Sequence, residues 1–279
     1  MSPKTLKTDD EIIFISVVRD HQMYHRCLKN NKNSNKQKLI CLDNTIENKG
    51  ISIRYNEFLD AYDYSNPAWF VFCHEDWELL EDIQPILKGK NKSKLYGTIG
   101  AQYKDGKTCG LIYGRGHIEQ CYKDGSNNIF LGEKPPSKGV LADTVDCQCL
   151  IMHSELVKKN NLRFDEHLSF DFYVEDFCIN AYENHGIELL VIPVKTRHYS
   201  YGNVTQRFYD AVSYVRNKYP LLKHPYASTV AKTVIGIPED KPIKSVHSFW
   251  KSFFFQKKYT KKGKLLIKIC KIPVYSKKI

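Results

Sequence analysis

The sequence contains no CxxC pair, no glycine-rich loop after its first apolar run, no acidic residue beyond Asp240, and no apolar stretch approaching the roughly 20 residues that span a bilayer. Each absence excludes something. Without paired CxxC units, the nine cysteines (27, 41, 73, 109, 121, 147, 149, 178 and 270) lack the spacing of a structural zinc site. Cys147 and Cys149 lie two apart on an expected strand with His153 nearby, and buried thiols are the simpler reading. The polar start MSPKTLKTDDE, with no long apolar run after it, predicts no leader peptide and no spanning helix, so a reducing cytoplasm is the expected compartment. VVRDHQMYH follows the first apolar run without the glycines of a phosphate loop, which argues against a sugar nucleotidyltransferase. Gly114-Arg115-Gly116 is not a dinucleotide fingerprint either, because the remaining glycine and the strand–turn–helix context are missing.

The missing acids locate the charge. The formal net charge is +11, from 42 Lys and Arg against 31 Asp and Glu. Twelve of those lysines lie from Lys241 onward, which leaves the first 240 residues with 30 basic groups against 31 acidic ones. The body is neutral and the tail is cationic. SFWKSFFFQKKYTKKGKLLIKICKIPVYSKK interleaves lysines with Phe249, Trp250, Phe253, Phe254, Phe255 and Tyr259. That composition suits an anionic membrane surface, where each lysine adds on the order of 1 kcal/mol; a solvated lysine tail is the alternative. Nucleic acid is not expected as a partner, since the body has no net positive charge and no recognised nucleic-acid module.

What is present reads as a wound α/β sheet. IIFISVV (12–18) is a continuous β-branched run, as a buried parallel strand requires. RDHQMYHRCLKN predicts a loop and short helix, KLICLDN a second strand, SIRYNEFLDAY a helix, and WFVFC a third strand. WELLEDIQPIL predicts a helix that Pro85 bends or splits. Alternating strands and helices over about ninety residues imply a parallel sheet with crossover helices, and such sheets bind ligands outside their strands' carboxyl ends. The second half is punctuated by glycines 97, 100, 110, 114 and 116, then carries strands in KLYGTIGAQ, CGLIYGRGHIEQ and DCQCLIMHS. DFCINAYENHG predicts a helix stopping at Gly186, ELLVIPVKTRHYS a last strand, and TQRFYDAVSYVRNKYP a helix before a proline-bearing connection (Pro220, Pro225, Pro238, Pro242).

Val18-Arg19-Asp20, Asp43-Asn44 and His74-Glu75-Asp76 all fall at strand carboxyl ends. Clustered carboxylates raise one another's pKa unless a cation or donor neutralises them. A divalent ion held by Asp76, with His198 adding a nitrogen ligand, is one resolution. N-capping of a helix at Trp77 by Glu75 or Asp76 is the other, and spacing alone prefers it. Glu175-Asp176, ahead of the next helix, faces the same two readings.

Taken in order, these segments resemble a family 2-type glycosyltransferase of GT-A fold, the subset with HxD in place of DXD, over about residues 12–198. IIFISVV with its polar loop resembles the nucleotide-binding start, LDN the acidic strand end at the nucleoside, and IRYNEFLDAY a helix with an Arg-Asn pair, here split by Tyr55. FVFCHED falls at the DXD position with His74 replacing the first acid; FYVEDFCIN resembles the Glu-Asp pair and TRHYS the late histidine. The resemblance implies a GT-A domain over 1–202, a helical extension over 203–244 and the basic aromatic tail over 245–279. It implies an inverting transfer of a hexose from a nucleotide-sugar, a UDP-sugar first among the donors, to a hydroxyl of a glycan or lipid-linked glycan, as in lipopolysaccharide or capsule biosynthesis. The enzyme would be peripheral on the inner face of the membrane. Asp176 would be the general base and Glu175 the acceptor-binding residue. Val18, Arg19, Asp43, Asn44, Arg54, Asn56 and Glu75 would bind the nucleotide, and Asp76, His198 and His74 would hold Mn2+ or Mg2+. A nucleotide- or glycan-binding module without turnover is the alternative that His74 keeps open.

Overall fold

β1 (Glu11–Val18) is buried from Ile12 to Val18 and pairs in parallel with β2 (Lys38–Asp43) on one side and β3 (Ala68–Cys73) on the other. Its alternate side chains feed two cores. Ile13, Ile15 and Val17 meet the helices Ile51–Ala61 and Tyr173–His185, whereas Ile12, Phe14 and Val18 pack with Trp77, Leu79 and Ile83 on the other face. A strand buried on both faces must be apolar wherever its side chains find no partner, and its one buried polar residue, Ser16, donates to the Cys73 carbonyl at 2.8 Å. That is the reason for IIFISVV, whereas β2 is the sheet's edge and is only partly buried.

The computed structural model describes residues 10–237, except 105–106, 110–114, 117, 127, 133, 201–203 and 232, and further on the strand segments 255–259, 264–269 and 272–278. The seven-stranded sheet continues from β3 through Cys149–His153, β5 (Leu95–Gly97) and Leu189–Val191 to Val140–Ala142. Cys149–His153 runs antiparallel to both β3 and β5, and Val140–Ala142 antiparallel to Leu189–Val191; the other five strands share one direction. The fold is therefore α/β with a mostly parallel central sheet flanked by helices, as expected. Gly97 permits the sheet's close approach to the strand Thr144–Val145, since a Cβ there would meet the Val145 side chain.

Two expectations change. WELLEDIQPIL is not one helix: β4 (Trp77–Leu79) is a strand, and only Gln84–Leu87 is helical, with Pro85 in its first turn. Trp77 and Leu79 are buried on one side while Glu78 meets Arg197 across the strand pair, a period of two that reads as helical when seen within 77–87 alone. ELLVIPVKTRHYS likewise divides into Leu189–Val191 and Thr196–His198, which belong to different sheets and flank Pro193. The helices predicted in SIRYNEFLDAY, DFCINAYENHG and TQRFYDAVSYVRNKYP form as Ile51–Ala61, Tyr173–His185 and Gln206–Lys218, the second starting three residues earlier than expected, and Gly186 terminates it with φ +64°. Helix Gln206–Lys218 places Phe208, Val212 and Val215 in the main core, so the packing continues past residue 202.

Among the described residues, no helix is long and apolar enough to cross a membrane. The segments Phe255–Tyr259, Lys264–Ile269 and Ile272–Lys278 form a three-stranded antiparallel meander. Gly110 and Gly114, Pro238 and Pro242, and the tail aromatics Phe249, Trp250, Phe253 and Phe254 lie outside the described residues.

Candidate functional site

β3 ends at Cys73, and His74, Glu75 and Asp76 turn the chain into β4. β4 pairs antiparallel with Thr196–His198, His198 opposite Trp77, and Tyr199 N–H donates to Asp76 O at 3.0 Å. This pairing delivers His198 to Asp76, with Nε2 3.3 Å from Oδ1. On its other side Thr196–His198 runs parallel to Ile118–Gln120, His198 opposite Gln120, and the two side chains meet at 3.3 Å through His198 Nδ1 and Gln120 Oε1. The expected helix at Trp77 would have excluded all of this. With no helix there, Glu75 and Asp76 cap nothing.

The ligand-capable atoms of His74, Asp76 and His198 lie within 4.8 Å of one another. Asp76 Oδ1 and His198 Nε2 are buried and lack a hydrogen-bond partner, and His74 Nδ1 is 4.0 Å from Asp76 Oδ1. Burial works to raise the Asp76 carboxyl, but His198 and His74 overcome it and hold it well below the usual carboxylate range. Burial lowers His74 below its ordinary value; at His198 burial is outweighed by Asp76, which holds that imidazole above its own. One carboxylate and two imidazoles fit a divalent cation, which would satisfy the unpartnered Asp76 Oδ1 and His198 Nε2 at once.

These residues sit in a cleft of about 770 Å3, within the range of ligand sites. Five carboxylates line it: Glu75, Asp76, Asp146, Asp171 and Glu175. Glu75 Oε2 accepts from the N–H groups of Arg19 (2.5 Å) and Asp20 (2.9 Å), tying the β3 rim to the loop after β1; burial raises its pKa against those two donors. Asp146 is held by Gln148 and Thr229, and Asp171 by Arg207. Glu175 is 2% exposed; Ser228 Oγ donates to its Oε1 at 2.7 Å, its Oε2 has no partner, and burial pushes its carboxyl up to about 8.

Of the residues expected at the nucleotide, Arg19, Asn44 and Glu75 line the cleft. Val18 is buried in the core, and Val17 lines the cleft instead. Asp43 is exposed outside the lining, its carboxyl held at about 2 by the backbone and hydroxyl of Thr45 and by His21. Arg54 turns to Glu57 and to the Asp43 carbonyl, also outside the lining. Asn56 departs from its expected role, because its amide is closed on the backbone of Phe164, accepting from N and donating to O at 2.9 Å each.

Asp176 departs too. Glu175 and Asp176 lie in the first turn of Tyr173–His185, not ahead of it, and neither caps the helix. One residue of helical rotation separates them, so Glu175 faces the cleft while both oxygens of Asp176 accept from Lys218 Nζ at 2.8 Å. Sequence reasoning also missed Gln120, Asp146 and Tyr173. Asp146 opens the segment DCQCLIMHS, whose cysteines drew the attention instead; Gln120 becomes visible only through the register opposite His198.

Compared by sequence, the chain matches no family model and no curated protein. Compared by fold, 89 chains of solved structures match. GalNAc-T7, crystallised with UDP, GalNAc and Mn2+, aligns over 74% of this chain and 48% of its own at 9% identity and a TM-score of 0.47. Residues 1–349 of S. aureus TarS with UDP align over 77% and 67% at 11% identity and a TM-score of 0.45. A second S. aureus TarS structure aligns over 77% of this chain and 40% of its own, at 12% identity and a TM-score of 0.43. The chain thus spans about half the length of the first of these.

Proposed function

We propose that this protein is a metal-assisted glycosyltransferase of GT-A fold that moves a hexose from a nucleotide-sugar to a hydroxyl, with inversion. The observation that carries this reading is convergence. Arg19, Asn44, His74–Asp76, Glu175 and His198 come from five separate motifs, and all line one cleft at the strands' carboxyl ends. Asp76, His74 and His198 would hold a divalent cation, Mn2+ or Mg2+. Such an ion, when bound, would supply charge stabilisation for the departing diphosphate. Arg19 and Asn44 face the nucleotide, a uridine diphosphate first among candidates, and Glu75 keeps the Arg19 loop in place.

The base role, first assigned to Asp176, moves to Glu175. A carboxylate bonded twice to an ammonium is a poor proton acceptor, whereas Glu175 has a free oxygen in the cleft and a pKa raised toward neutrality, as general bases require. Glu175 takes the acceptor hydroxyl's proton as that oxygen attacks the anomeric carbon and the carbon–diphosphate bond breaks on the opposite side. One base suffices for such a single displacement. The acceptor is a glycan or lipid-linked glycan of lipopolysaccharide or capsule assembly, met at an anionic inner membrane surface through the lysine-rich tail.

Turnover of UDP-, GDP- and CMP-sugars with Mn2+ tests the reading. One donor class should be consumed. Glu175→Gln should lower its turnover by roughly 10²–10⁴-fold while nucleotide binding persists. Full turnover by Glu175→Gln would return the role to Asp176. Nucleotide binding with no turnover in the wild type would favour a binding module.

A further inference from the structure

We propose that Tyr173 and Gln120 are the outer residues of the metal centre, fixing both imidazoles with bare inner nitrogens and so making a two-nitrogen, one-oxygen site that selects a transition-metal ion over magnesium. The inference deepens the proposed function and rests on its metal site.

The proton positions follow from partners that can act in one sense only. Tyr173 Oη lies 3.1 Å from the Cys147 carbonyl, which accepts, so the phenol proton is spent there. The same oxygen lies 3.1 Å from His74 Nε2 and must therefore accept from it. A neutral imidazole has one N–H, so His74 Nδ1, the nitrogen toward Asp76, is bare. At His198 the logic repeats with the ring reversed. Two acceptors lie 3.3 Å from the ring, but only Gln120 Oε1 has hydrogen-bond geometry to it, so His198 Nδ1 donates there and Nε2, which makes no hydrogen bond to Asp76 Oδ1, is left bare. Ligating histidines are commonly oriented through their outer nitrogen in this way.

Both outer residues are placed by the fold. Tyr173 is the first residue of helix Tyr173–His185, fully buried, with its ring against Tyr55 and Phe164 at centroid distances of 6.2 and 6.0 Å. Gln120 is 9% exposed and register-locked opposite His198. Magnesium favours an octahedron of oxygens, whereas imidazoles suit zinc, iron and their neighbours, and manganese accepts mixed sets. Two nitrogens from the protein leave Mg2+ short of oxygen ligands.

The test measures Mn2+ affinity by electron paramagnetic resonance and the tautomers by 15N-histidine NMR on metal-free protein at alkaline pH. His74 should carry its proton on Nε2 and His198 on Nδ1. Tyr173→Phe and Gln120→Ala should each weaken Mn2+ binding by roughly 10–100-fold with circular dichroism unchanged, and Gln120→Glu, which keeps the acceptor, should retain wild-type affinity. Mg2+ should displace Mn2+ only in large excess. Wild-type affinity in both Tyr173→Phe and Gln120→Ala, or Mg2+ competing on equal terms, overturns the inference while leaving a metal site intact. A wild-type chain that binds no Mn2+ overturns the metal site itself and the inference with it.

Discussion

Two carboxylate clusters lie against the start of helix Tyr173–His185, and they are neutralised in opposite ways. Around Asp165 and Asp176 the chain supplies its own cation: Lys218 Nζ is 2.6 Å from Asp165 Oδ2 and 2.8 Å from both oxygens of Asp176, and the Tyr214 hydroxyl donates to Asp165 at 2.9 Å. At Asp176 burial outweighs Lys218 and raises the pKa; at Asp165 burial is overcome by Lys218 and its other donors, which hold the carboxyl low. Around Asp76 the chain supplies two imidazoles and leaves Asp76 Oδ1 and His198 Nε2 without hydrogen-bond partners. The first cluster is complete as it stands and ties helix Gln206–Lys218 to the helix before it. The second keeps two buried atoms unpartnered, and the proposed cation would complete it. The difference lies in unspent hydrogen-bonding capacity, not in the number of acids.

The comparison can be broken by exchanging roles. The largest effect is expected from Glu175→Gln, set against Asp176→Asn in single-turnover transfer: the first should lose roughly 10²–10⁴-fold, the second far less per folded molecule. Lys218→Met comes next. It strands two carboxylates, one of them nearly buried, and should cost about 3 kcal/mol in chemical denaturation while Mn2+ affinity stays within about twofold. A drop in metal affinity matching that of Asp76→Ala would show that the clusters are one unit.

A further effect is a pH dependence of stability. The Glu175 carboxyl is raised to about 8 in the folded chain, above its unfolded value, so its contribution is fully present below the unfolded pKa and is lost as pH rises toward 8. Glu175→Gln lacks that loss. Its Tm should therefore gain on the wild type as pH climbs from about 4.5 to about 8, and a pH-independent difference would contradict the burial argument.

Much of this was legible in the sequence. IIFISVV, WFVFC and the helix ending at Gly186 read correctly because buried strands and a left-handed helix stop leave local signals. His74, Asp76 and His198 were legible as ligand types at strand ends. Their meeting was not, because it depends on β4 pairing with Thr196–His198, and β4 reads as helix in isolation. Glu175 and Asp176 were legible as a pair but not as separate roles. Only Lys218, 42 residues on from Asp176, decides which carboxylate is spent. The contact Asn56 makes was hidden for the same reason, since its partner Phe164 lies 108 residues away.

The most direct test is titration calorimetry of UDP, with GDP and CMP alongside, with and without Mn2+, on wild type and Asp76→Ala. The account predicts that one nucleotide binds wild type only with Mn2+ and that Asp76→Ala loses this binding. Equal binding by both proteins, or binding indifferent to Mn2+, would contradict it.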